Sequence, residues 1–215
     1  RGTASFKWDA NGTYYGRDDV IPMWVADMDF PCAPAVVDAV KRLLLVVDYQ
    51  KDFVDGALGF PGAEALDGPI AAKIAACRAA GDDVAFTLDT HGPDYLDTQE
   101  GRKLPVPHCL LNSEGWQLYG QTGQAMERSR DMVIGKGAFP SLWLANWLKE
   151  QGYDRVELAG LVSYLCVLSN AIMVKAALPE AEIVVDASCT AGPDPDLHAK
   201  GLDVMEALQI TVLNR

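Results

Sequence analysis

From residue 43 onward, short uninterrupted apolar runs alternate with longer stretches of helical spacing. Leu43, Leu44, Leu45, Val46 and Val47 lead straight into Asp48, and Val84, Ala85, Phe86, Thr87 and Leu88 into Asp89. Met132, Val133 and Ile134 make a third run, residues 156–161 a fourth, residues 183–186 a fifth and residues 210–213 a sixth. Runs of this length with no polar alternation are strands buried on both faces. The stretches between them are helical. Ile70, Ile74 and Cys77 recur at helical spacing within 63–80, and Gly81 supplies the stop. Residues 141–149 start on an N-capping Ser141 and end before Gly152. Residues 166–177 and 195–208 complete the set. This alternation predicts an α/β fold: a three-layer α/β/α, Rossmann-like domain around a six-stranded, mostly parallel sheet. Ligands of such sheets bind beyond the carboxyl ends of the strands. Asp48, Asp89, Lys136 and Cys166 all fall at or just after those ends, so one edge of the sheet should carry four reactive side chains.

Composition removes several partners. The formal net charge is -12, whereas nucleic acid calls for a basic face. An acidic chain has no attraction to anionic membranes either, and no apolar run approaches the roughly 20 residues of a membrane span. The N-terminus does not read as a signal peptide. Five cysteines, Cys32, Cys77, Cys109, Cys166 and Cys189, include no CxxC pair. That usage argues against a disulfide framework and for a reducing, cytoplasmic setting.

The fourth strand ends near Gly160, a short turn follows, and a helical pattern begins at or near Cys166. A thiol near a helix N-terminus faces free N–H groups and the positive end of the helix dipole, which favour thiolate. Asp89 and His91 form an Asp-x-His pair at the end of the second strand, with Glu100 and His108 further on. Carboxylate oxygen and imidazole nitrogen together suit Zn, Fe or Mn.

These residues resemble the isochorismatase-like cysteine hydrolases, and within them the nicotinamidases, over residues 43–215. The Asp-x-Gln-x-x-Phe motif is Asp48-Tyr49-Gln50-Lys51-Asp52-Phe53. A Lys before a Gly-x-aromatic step is Lys136-Gly137-Ala138-Phe139, and the nucleophile after a strand ending in Gly is Cys166. The resemblance implies a Cys166, Asp48 and Lys136 triad, with Asp48 as general base and Lys136 orienting it. It implies an oxyanion hole from the backbone N–H groups of Val162 and Cys166, and a non-proline cis peptide at Leu161-Val162. A divalent metal, Zn before Fe or Mn, would be held by Asp89, His91, Glu100 and His108 and would bind a pyridine nitrogen. The substrate would meet Gln50, Phe53, Phe139 and Trp116, with the aromatics stacking on its ring. The activity implied is hydrolysis of nicotinamide to nicotinate and ammonia through a thioester. A homodimer or homotetramer is the assembly expected of this family.

Two positions depart from the family pattern. Tyr95 stands where many relatives have a further His, and Tyr164 where many have an Asp two residues before the nucleophile. They leave other readings open: a metal-independent cysteine hydrolase of another small amide, or a non-catalytic binding protein of this fold. Cys166 counts against an isochorismate-like ether, because isochorismatases proper lack the thiol. Among the other cysteines, Cys77 reads as core, Cys109 as a weak alternative ligand and Cys189 as a wall of the cleft.

Residues 1–41 do not alternate like the rest. Lys7, Trp8 and Asp9, and the stretch from Ile21 through Trp24, Asp27, Asp29 and Pro31, resemble the N-terminus of cystathionine β-lyase-type, PLP-dependent C–S lyases. The cofactor lysine and phosphate-binding parts of such an enzyme lie far beyond a segment of this length. No PLP is therefore expected, and residues 1–41 read as an extension before a hydrolase domain at 42–215.

Overall fold

The computed structural model describes residues 40–215; all but the last two residues of the extension, 1–39, lie outside the described residues. β1 (Arg42–Val47) is followed by a single turn, α1 (Lys51–Val54), then a 3-10 turn at Ala63–Leu66 and α2 (Asp67–Ala80). β2 (Asp83–Asp89), α3 (Gln99–Lys103), α4 (Gly120–Ala125) and β3 (Met132–Lys136) come next. Then follow α5 (Leu142–Gln151), β4 (Arg155–Leu161), a π-wound turn at Ser163–Val167 and α6 (Leu168–Ala177). β5 (Glu182–Ala191), α7 (Pro195–Ala207) and β6 (Thr211–Leu213) close the chain. Among the described residues, no helix is long and apolar enough to cross a membrane.

The six strands pair in the order β3-β2-β1-β4-β5-β6, and all five pairings are parallel. Successive side chains of β1 point to opposite faces, and both faces are covered. Leu43, Leu45 and Val47 pack with Leu144, Leu148, Val174 and Met205 of α5, α6 and α7. Leu44 and Val46 pack with Ile70 and Ile74 of α2. This double burial explains why the runs carry no polar alternation. Each fully buried Leu contributes about 2 kcal/mol by area.

The strand order reverses between β1 and β4, the place where a crevice opens in sheets of this kind. Gly160 makes the close approach possible. Its φ is 116°, and a Cβ there would lie 2.0 Å from the Val47 carbonyl oxygen on β1. β5 differs from the expectation in length. Its pairing with β4 shifts register between Leu158 and Gly160, and β5 resumes at Thr190 and Ala191. The polar residues after Asp186 therefore belong to an irregularity within one strand. Cys189 lies in the α2-side core, not on a cleft wall, because the resumed strand turns it inward. The four cysteines among the described residues are all free.

Candidate active site

Side chains from the ends of β1, β2, β3 and β4 meet beside the switch point. Asp48, directly after β1, is fully buried and has φ 46°. Asp is among the few residues that tolerate this left-handed conformation. The Thr87 hydroxyl donates to its Oδ1 at 2.7 Å, and Lys136 Nζ lies 2.6 Å from its Oδ2. The same ammonium is 3.5 Å from Cys166 Sγ and 3.4 Å from Asp89 Oδ1, and donates to the Ala138 carbonyl at 3.0 Å.

The electrostatics correct one expectation. Burial pushes the Cys166 thiol well above its ordinary value; the Asp48 charge adds to this, and Lys136 opposes it. Desolvation of a buried anion thus opposes the helix-terminus effect expected to favour a standing thiolate, and outweighs a partial dipole charge. The helical winding also starts earlier than expected, at Ser163, so Cys166 sits inside the first turn and not ahead of it. Burial likewise raises Asp48, against the pull of Lys136. Burial works against the charge of Lys136, but Asp48, Cys166 and Asp89 hold it protonated. A carboxylate more basic than usual beside a neutral thiol is an arrangement suited to proton transfer during attack.

Asp89, His91 and His108 form a second cluster, their ligand atoms all within 4.8 Å of one another. Asp89 Oδ2 is 3.0 Å from His91 Nε2 and 3.4 Å from His108 Nε2. The Nδ1–H of His108 donates to the Val106 carbonyl at 2.8 Å, which leaves its Nε2 directed at the carboxylate. In the neutral ring that nitrogen is a lone pair facing an anion, so a cation between them relieves the repulsion. The donor set thus fits a divalent metal. Glu100, on α3, is outside this cluster, although it lines the adjoining cavity. Cys109 is outside it too; its backbone N–H donates to Asp52 Oδ2 at 2.7 Å. Tyr95 packs its ring 4.6 Å from that of His91 but donates its hydroxyl to the Leu104 carbonyl at 2.9 Å.

A cavity of about 240 Å³ joins the two clusters. Its walls include Phe53, Leu104, Phe139, Val162 and Leu165, with Asp89, Glu100, His108 and Cys166 exposed to it. Phe53 and Phe139 line this cavity, whereas two other residues named from the sequence as substrate contacts do not. Gln50 is fully buried and spends its amide on backbone: its Oε1 accepts from Asp89 N at 2.7 Å, and its Nε2 donates to the Asp89 and Trp116 carbonyls at 2.9 and 2.8 Å. Trp116 lines a separate depression and donates its indole N–H to Thr90 Oγ1 at 2.9 Å. Neither reaches the cavity. The peptide Leu161-Val162 is cis.

Sequence reasoning passed over Thr87 and Asn170. The buried Asn170 donates to the Cys166 and Phe139 carbonyls at 2.8 and 3.0 Å and accepts from Ser141 N at 3.1 Å. It thereby joins the turn bearing Cys166 to a cavity wall. Only its full burial singles it out, and spacing alone does not show that.

Residues 42–215 match the Isochorismatase domain. The chain belongs to the isochorismatase family. Within the family's range, it is 26% identical over 188 residues to the nicotinamidase/pyrazinamidase of Mycobacterium tuberculosis, covering 80% of this chain and 98% of that protein. The crystal structure of nicotinamidase/pyrazinamidase PncA from Bacillus subtilis superposes with a TM-score of 0.73 at 26% identity, covering 81% of this chain and all of that one. A separate 43-residue match, 51% identical, is to cystathionine beta-lyase PatB of Bacillus subtilis. It takes in 20% of this chain but only 11% of that lyase, so the lyase's activity is not carried with it.

Proposed function

We propose that this isochorismatase-family enzyme is an amidase of the nicotinamidase type, with Cys166 as nucleophile, Asp48 as general base and Lys136 as their electrostatic partner. The observation that carries the reading is one ammonium, Lys136, 2.6 Å from Asp48 and 3.5 Å from Cys166, at a cavity of about 240 Å³. A cavity of this size suits one small ring with an amide.

Attack begins as the thiol proton passes to Asp48 and Sγ bonds to the amide carbon. Lys136 stays charged, compensating first the carboxylate and then the sulfur. The N–H groups of Val162 and Cys166 receive the oxyanion. Asp48 returns the proton to the leaving nitrogen, ammonia departs, and a thioester remains. Water, deprotonated by Asp48, then attacks the thioester carbon; acid is released and the thiol is restored. Asp89, His91 and His108 would hold a divalent cation, which when bound supplies a Lewis acid for a ring nitrogen. Phe53 and Phe139 orient the ring and keep water out.

A second reading, an amidase that works without the cation, is favoured by the direct contacts of both imidazoles with Asp89, which a protonated His108 satisfies on its own. The test is ammonia release from nicotinamide. Cys166→Ala should abolish it while circular dichroism stays native; residual activity near wild type would end the nucleophile assignment. Exhaustive chelation should lower wild-type turnover at least about tenfold, and full activity in metal-free protein would select the second reading.

A further inference from the structure

Ser163, the first residue of the π-wound turn, is fully buried, yet its hydroxyl has a specific partner outside its own element. Ser163 Oγ and His198 Nδ1, on α7, are hydrogen-bonded at 2.9 Å. Beside this bond, α7 meets the turn a second time. A Cβ at Gly201 would lie 2.8 Å from Tyr164 Cβ and 3.1 Å from Tyr164 Cα, so only glycine lets the backbones meet there. Gly192 completes the slot: a Cβ there would be 2.4 Å from Cε1 of the Tyr164 ring and 3.0 Å from Val162 Cγ1. Tyr164, which departs from the family pattern, is thus seated against two glycines, its ring on Gly192 and its Cα and Cβ on Gly201, and takes no part in lining the cavity.

The turn needs such an anchor. The Val162 carbonyl accepts from both Leu165 N at 3.0 Å and Val167 N at 3.2 Å, the wider winding of a π turn. Isolated π turns are uncommon and persist where tertiary contacts hold them. Relaxation to ordinary α winding would rotate Cys166 about the helix axis, away from Lys136 and Asp48. α7 is itself rigidly seated, with Leu202 and Met205 in the main core.

We infer that His198 is a positioning residue: through Ser163 it locks the turn Val162–Cys166, and so fixes both the thiol and the backbone N–H of Val162. The catalytic part of this inference rests on the amidase reading; the docking part does not. The test therefore has two arms. In hydrogen–deuterium exchange, His198→Ala should speed exchange of peptides covering 162–167 at least about fivefold with the rest of the sheet unchanged. His198→Asn, whose amide nitrogen can stand where Nδ1 stands, should restore protection. In kinetics on nicotinamide, His198→Ala should lower kcat about tenfold with KM within about twofold, and His198→Asn should recover most of it. Ser163→Ala removes the other end of the bond; it should reproduce both effects, and the double variant should be no worse than either single one. Unchanged exchange in His198→Ala and Ser163→Ala overturns the inference. Equal loss in the Asn and Ala variants reduces His198 to a space-filler and overturns it too, as does faster exchange with kcat unaltered. If wild type leaves nicotinamide intact, the amidase reading fails, and the exchange arm still decides whether His198 docks the turn.

Discussion

Asp48 has its two carboxylate oxygens held by different hands, Thr87 on one and Lys136 on the other. The Thr87 hydroxyl can donate only to the ionised form with full effect, so it lowers the Asp48 pKa against the raising effect of burial. Removing the donor while keeping the shape therefore raises that pKa. Thr87→Val should move the acidic limb of the kcat/KM–pH profile for ammonia release upward by about one pH unit, because the free enzyme needs Asp48 ionised; an unmoved limb would detach Asp48 from that ionisation. At this scale the sequence spoke unevenly. Asp48, Lys136 and Cys166 were legible because strand ends in a parallel sheet converge whatever the side chains do. Gln50 and Trp116 were misplaced because a motif gives position along the chain, not the direction in which a side chain leaves it. Thr87 sat unnoticed inside an apolar run, and the state of the Cys166 thiol was misjudged because burial cannot be read from local spacing.

At the scale of elements, the apolar runs located every strand, since burial on both sheet faces leaves a continuous signature. Their ends were less visible. β5 runs on to Ala191 through the polar residues after Asp186, a continuation that depends on pairing with β4 and not on its own composition. Gly160 was noted only as a strand end, yet it is the point at which β4 passes the Val47 carbonyl. Gly160→Ala combines an unfavourable φ with a backbone clash. It should cost more than about 3 kcal/mol in urea unfolding; a loss under 1 kcal/mol or so would mean that β4 and β1 can separate without consequence.

For the molecule as a whole, Asp186 is the knot among α2, β5 and β6. It is buried, pairs with Lys73 at 2.6 Å, accepts from Ser188 N and Oγ at 2.9 and 2.6 Å, and receives both Asn214 contacts at 3.0 Å. Although burial opposes ionisation, these partners bring its pKa down to about 2. A depressed carboxyl pKa adds stability above the unfolded value and loses it as pH falls through the folded one. The contribution, about 2 kcal/mol, should thus be complete above about pH 4 and vanish towards pH 2. Urea unfolding of wild type and Asp186→Asn should differ most at neutral pH and converge through that window; a pH-independent gap would show that the carboxylate's charge contributes nothing. The parallel order of the sheet has a further effect on how this protein comes into being. Asp48 and Cys166 directly follow or lie just beyond neighbouring strands, β1 and β4, that are distant along the chain, with β2, β3 and five helices made between them. A nascent polypeptide that has emerged only as far as β3 has Asp48 and Lys136 but not Cys166. On the amidase reading, chemistry begins only after β4 has paired with β1, so turnover is itself a report that the longest-range strand pairing of the fold has closed.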